Sequence, residues 1–119
     1  METVIIQETD PEISDVLYAV LKQEGFRVYA LSESGPDVLE LIGQAQPHAI
    51  MLDYVLSDKD SACLCSEIKQ RYPALPVLAL SCNSDISEVY RTVGFDGYIA
   101  KPFNLDDLFR ILRGFIPES

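Results

Sequence analysis

Basic residues are scarce in this chain of 119 residues: nine Lys and Arg stand against nineteen Asp and Glu, a formal net charge of −10. That shortage excludes nucleic acid and anionic membrane as direct partners, because both would be repelled before a specific contact formed. The acidity is scattered along the chain, which reads as solubility plus one acidic site. Long apolar runs are missing too. Hydrophobic residues make up 48% of the sequence, yet no run approaches the roughly 18 residues that a membrane span needs. The N-terminus lacks the basic, apolar and small-residue succession of a secretory signal. Three cysteines is an odd count that cannot pair fully within one chain, so a reducing cytoplasm is expected. Cys63 and Cys65, two apart on a helix, would leave by different faces and make a poor metal pair. All three cysteines are read as small apolar residues.

Linkers, repeats and low-complexity tracts are absent, and the length fits one domain over residues 1–119. What is present is an alternation of five short apolar runs with five amphipathic stretches. Thr3 to Gln7 is the first run. Asp10-Pro11-Glu12 then starts a helix, since the aspartate can cap free amides and proline fits the first turn. Its apolar face is Ile13, Val16, Leu17, Val20 and Leu21, and it stops at Gly25. Phe26 to Leu31 is a second strand interrupted by Arg27, and Ser34-Gly35-Pro36 opens a second helix. Ala49 to Leu52 is a third strand ending at Asp53, followed by a helix from about Asp60 to Tyr72. Val77 to Leu80 is the fourth strand, Ser84 caps a fourth helix closed by Gly94, Tyr98 to Ala100 is the fifth strand, and Asn104 caps the last helix.

Strict alternation with such short connections predicts a parallel sheet covered by helices on both faces, a three-layer α/β domain. The first, third and fourth runs are the most continuously apolar, as strands buried on both faces must be. The second and fifth are then the edges, giving the order 2-1-3-4-5, the doubly wound (βα)5 arrangement of flavodoxin-like folds. Ligands of such sheets bind at the carboxyl ends of the strands, where the order reverses. The residues placed there are Glu8, Thr9 and Asp10 after the first strand, Asp53 after the third, Ser81 after the fourth and Lys101 after the fifth. An acid pair suits a hard cation such as Mg²⁺, which takes oxygen ligands. An ammonium and a hydroxyl beside it suit the oxygens of a phosphoryl group.

Four pieces in order at these spacings, Val4 to Pro11, His48 to Asp53, Pro76 to Ser81 and Gly97 to Phe103, resemble a response-regulator receiver domain of two-component signalling over essentially the whole chain. The resemblance implies that Asp53 accepts a phosphoryl group from a sensor histidine kinase or phosphotransfer protein, forming an aspartyl phosphate. It implies that Ser81 and Lys101 contact that group, that Tyr98 is the aromatic switch, and that Pro102 follows a cis peptide bond. Glu8, Asp53, the Val55 backbone carbonyl and, weakly or not at all, Thr9 would bind Mg²⁺. Val55 and Asn83 would tune the phosphoryl lifetime. An apolar Val55 cannot orient an attacking water, so autodephosphorylation should be slow.

Chemistry agrees with these implications: a carboxylate can act as the nucleophile, and phosphoryl transfer depends mostly on positioning and charge neutralisation. A displaced Ser81 would open space for Tyr98 and repack the face made by the fourth helix, fifth strand and fifth helix. That face would meet a downstream protein or domain, or a second copy as a homodimer. No enzymatic activity is expected beyond the domain's own phosphorylation and dephosphorylation. The chain departs from the family in Glu8-Thr9, where two adjacent acids are usual, and in Ser57 and Ser61, where proline and glycine are common. Thr9 supplies a neutral oxygen in place of a carboxylate, and this supports an alternative: a pseudo-receiver that keeps the fold as a protein-interaction module without phosphorylation. The sequence fits a stand-alone receiver or one cut from a longer protein. His48 is assigned no role.

Overall fold

The computed structural model describes residues 2–32, 36–54 and 59–116. Its elements run β1 (Thr3–Gln7), α1 (Pro11–Gln23), β2 (Arg27–Leu31), α2 (Pro36–Ala45), β3 (Ala49–Asp53), α3 (Lys59–Arg71), β4 (Val77–Ser81), α4 (Ile86–Val93), β5 (Gly97–Ala100) and α5 (Leu105–Phe115). The strands form one sheet in the order β2-β1-β3-β4-β5, every pair parallel. This is the flavodoxin-like α/β arrangement that the alternation of runs predicts.

The continuous apolar runs resolve into two cores because successive strand residues face opposite sides of the sheet. Val4, Ile6, Met51, Leu78 and Leu80 join Leu17 and Leu21 of α1 and Leu108 and Leu112 of α5. Ile5, Ile50, Leu52, Val77 and Ala79 point the other way and join Val38, Ile42, Leu64, Ile68 and Ile86. All five residues of β1, β3 and β4 are buried, whereas the edge strand β2 is not. Among the described residues no helix is long and apolar enough to cross a membrane.

Helix ends follow local chemistry. Asp10 accepts the Glu12 N–H at 2.9 Å and Asn104 accepts the Asp107 N–H at 2.7 Å, each serving as an N-cap. α1 and α4 are followed by Gly25 and Gly94 with φ of +99° and +121°, a conformation that costs glycine least. α4 departs from expectation: its N-cap is Asp85 rather than Ser84, and no side-chain bond closes it. The cysteines also divide differently, for Cys65 is buried while Cys63 and Cys82 are exposed. Burial lifts the Cys65 thiol to about 11, with a smaller push from Asp96. His48 has a structural task, accepting the Thr3 N–H on Nδ1 at 3.0 Å where β1 begins beside β3. Ser34, Gly35, Val55 and Ser57 lie outside the described residues.

Candidate functional site at the carboxyl ends of the strands

Register places the candidate residues at one edge. Gln7 pairs with Leu52, Asp53 with Leu80 and Ser81 with Ala100, so the positions after each strand converge although dozens of residues separate them. Glu8, Asp53 and Lys101 meet there: Lys101 Nζ lies 3.0 Å from Glu8 Oε2 and 3.0 Å from Asp53 Oδ1. Side-chain exposures of 1, 8 and 12% for Glu8, Asp53 and Lys101 make this a buried ion triad, not a surface pair. The Lys101–Pro102 peptide between β5 and α5 is cis.

Thr9 closes the other side of the carboxylate. Its hydroxyl donates to Asp53 Oδ2 at 2.6 Å, with its backbone N–H at 3.5 Å from the same oxygen. Asp10, in contrast, spends its carboxylate on the α1 cap, and its N–H donates to Glu8 Oε1 at 3.1 Å. Ser81 is wholly buried at the end of β4, its Oγ accepting the Asn83 N–H at 3.1 Å. Among the described residues Asn83 Nδ2 is buried without a hydrogen-bond partner. Tyr98 is half-buried, its ring 5.0 Å from that of Tyr90.

The environments pull the three charges apart. Burial raises the Asp53 carboxyl, but the Thr9 hydroxyl and the Lys101 ammonium outweigh it and hold the group below its ordinary value. Burial is the dominant influence on Glu8 and lifts it above the usual glutamate range, against the Asp10 N–H and Lys101. Burial would lower Lys101, yet its hydrogen bonds to Asp53 and Glu8 raise it overall. Asp53 is therefore the firmly ionised acid of the trio, and Lys101 its fixed cation.

An open cavity of about 870 Å³ lies over this edge, with Thr9, Asp53, Cys82 and Lys101 on its polar side and Ile13, Val16, Phe103 and Leu105 on its apolar side. Cys82 was missed as a site neighbour because its sequence position beside Ser81 says nothing of exposure. Among the described residues no group of three or more His, Cys, Asp or Glu is arranged to hold a metal ion. The ligands on offer are nevertheless oxygen, the carboxylates of Glu8 and Asp53, with the Thr9 hydroxyl beside them already bonded to Asp53. With Lys101 counted the triad keeps one net negative charge, which fits Mg²⁺ in ligand type and offers it less charge than three carboxylates would.

The fold and this edge define an α/β domain whose charged site sits at the reversal of strand order. A family model for the response regulator receiver domain matches residues 4–113, and the chain belongs to that family. It resembles a response regulator structure from Chloroflexus aurantiacus, with 28% identity, 98% of each chain covered and a TM-score of 0.85. It also resembles the receiver domain of a sensor histidine kinase from Pseudomonas aeruginosa, with 25% identity, 98% of each chain covered and a TM-score of 0.83. That structure holds a magnesium ion in its active-site cleft. The response regulator TrrA of Thermotoga maritima, solved with Mg²⁺ and BeF, shares the fold at 20% identity, covering 97% of this chain and 99% of its own, with a TM-score of 0.82.

Proposed function

We propose that this receiver domain is a phosphorylation-controlled switch whose phosphoacceptor is Asp53. The observation that carries the reading is a buried carboxylate at the end of a central strand, with an ammonium 3.0 Å from one of its oxygens. In the transfer, an Asp53 oxygen attacks the phosphorus of a phosphohistidine on a kinase or phosphotransfer protein. The new O–P bond forms as the P–N bond breaks, and the electron pair of that bond leaves with the imidazole. Lys101 neutralises charge on the transferred group. Ser81, at the end of β4, is the hydroxyl that would meet a phosphoryl oxygen, and Asn83 Nδ2, buried and without a partner among the described residues, is a donor available beside it. Glu8 and Asp53 are the residues that would hold Mg²⁺, whose charge would offset that of the phosphoryl oxygens, while the Thr9 hydroxyl is engaged with Asp53.

Drawing Ser81 inward frees space for Tyr98, which must then leave its contact with Tyr90 and repack the α4-β5-α5 face. A groove of about 560 Å³ on that face, lined in part by Tyr90, Tyr98, Phe103, Asp107 and Phe115, offers the surface for an output protein or a second copy.

The second reading, a pseudo-receiver, is favoured by the Thr9 hydroxyl already occupying Asp53 Oδ2 at 2.6 Å. Incubation with a small-molecule phosphodonor, with Mg²⁺ or with chelator, followed by intact mass measurement beside Asp53→Ala, separates the two. A Mg²⁺-dependent gain of one phosphoryl group, absent from the variant, is expected. No gain in the natural chain, with uptake appearing only in Thr9→Asp, would establish the pseudo-receiver instead.

A further inference from the structure

Each polar atom of Asp53 is held by a different side chain. Gln7 Oε1 accepts the Asp53 N–H at 3.2 Å, and the Ser61 hydroxyl donates to the Asp53 carbonyl at 2.7 Å. Thr9 donates to Oδ2 at 2.6 Å and Lys101 to Oδ1 at 3.0 Å. Gln7 and Ser61 are both buried, 2% exposed each, on β1 and α3 respectively. Gln7 is itself braced, its Nε2 donating to the Ser32 carbonyl at 3.3 Å. A glutamine among buried apolar strand residues is costly unless both ends are bonded, and here both ends are.

From this cradle we propose that Gln7, Thr9 and Ser61 are positioning residues that orient Asp53 with protein groups alone, leaving a divalent cation to neutralise charge without having to orient the acceptor. Gln7 and Ser61 fix the backbone on its two sides. Thr9 fixes the carboxylate plane by occupying one oxygen, which turns the other toward Lys101. Free rotation of an acceptor carboxylate would otherwise have to be frozen at the moment of transfer. The proposal rests on Asp53 being the acceptor.

The test uses the full chain and two independent readouts. The first is the Asp53 side-chain carboxyl resonance and the exchange rate of its amide, measured by NMR in chelator without any phosphodonor. The second is the initial rate of phosphoramidate-driven mass gain across a Mg²⁺ series. Thr9→Val keeps volume and removes the hydroxyl, Thr9→Ser restores it, Ser61→Ala and Gln7→Met remove one bond each, and urea unfolding identifies any variant that has lost the fold. Thr9→Val is expected to shift the carboxyl resonance and Gln7→Met to speed exchange of the Asp53 amide. Thr9→Val should slow mass gain roughly tenfold at saturating Mg²⁺, the size of one hydrogen bond to a charged group, and Ser61→Ala roughly fivefold, the size of one to a neutral carbonyl. Their half-saturating Mg²⁺ should stay within about twofold, and Thr9→Ser should return both readouts. Folded Thr9→Val and Ser61→Ala with unchanged resonances and rates would overturn the positioning roles while leaving Asp53 as acceptor. No mass gain in the natural chain would overturn the acceptor reading, and with it any positioning for transfer.

Discussion

Replacing Lys101 by methionine keeps a long unbranched side chain and deletes the charge that Glu8 and Asp53 share. Both carboxylates would then be left uncompensated at 1 and 8% exposure. Removing one partner of a buried ion pair costs about 3–5 kcal/mol, and the lower figure applies because the cavity over the edge admits water. A loss of about 3 kcal/mol compares with a total near 12 kcal/mol for a domain of this length at about 0.1 kcal/mol per residue. The corresponding fall in melting temperature is about 10–15 °C.

The pH dependence fixes the cause. In the natural chain Asp53 lies below its ordinary value, so its contribution is present above that value and lost as pH falls through the lowered one. Glu8 lies above its ordinary value, so its folded form favours the proton, and stability declines as pH rises from that value through the raised one. Lys101 is raised, so its contribution is present below its ordinary value and lost as pH climbs through the raised one. Without Lys101 both carboxyls move up and take protons more readily. The penalty is therefore largest where both carboxyls are ionised and shrinks as acidification protonates them. Urea unfolding followed by far-ultraviolet circular dichroism in chelator suits a chain with six tyrosines and no tryptophan. Adding Glu8→Gln to Lys101→Met should restore about half the loss, because one of the two stranded charges is gone. A penalty under about 1 kcal/mol, or one that grows on acidification, would refute the triad as a buried electrostatic unit.

Thiol labelling of the folded chain should modify Cys63 and Cys82 quickly and Cys65 only on unfolding, since Cys65 is buried with its thiol pushed up to about 11; three equal rates by intact mass would contradict that burial. Gly97→Ala should cost about 1–3 kcal/mol by overpacking, because a methyl there meets Leu78 Cδ2 and Phe115 Cε2 at 3.0 Å. An unchanged urea midpoint would refute close packing of Gly97 against Leu78 and Phe115. Asp96→Asn should lose about 1–2 kcal/mol, as Asp96 Oδ2 receives both the Val77 N–H at 2.8 Å and Lys69 Nζ at 2.9 Å; equal stability of variant and natural chain in the same assay would count against that turn as a support of β4.

The strand order and the edge were legible because their signals are local: apolar runs ending in Asp53 and Ser81, and capping residues such as Asp10 and Asn104, sit next to the elements they delimit. Adjacent polar residues blurred the start of α4, where Ser84 and Asp85 could each begin a helix and the backbone chose the second. Partners across the sheet left no such mark. Gln7 ends an apolar run like any strand residue, and only register reveals that its side chain reaches the Asp53 amide. Ser61 could be recognised as a departure, but not as a donor to a carbonyl eight residues back.

Thr9 shows the same limit most sharply. From sequence it is an oxygen where a carboxylate is usual, and so a weaker cation ligand; in the fold it is a donor, and that capacity is what Asp53 uses. A carboxylate in its place could only accept while ionised. It would repel Asp53 unless a cation stood between them, whereas a hydroxyl can bond to Asp53 directly. Exchanging an acid for a threonine therefore lowers the charge available to a cation and supplies orientation by another route. If Asp53 is the acceptor, those two consequences act on phosphoryl uptake in opposite directions, so Thr9 alone does not mark a lost site.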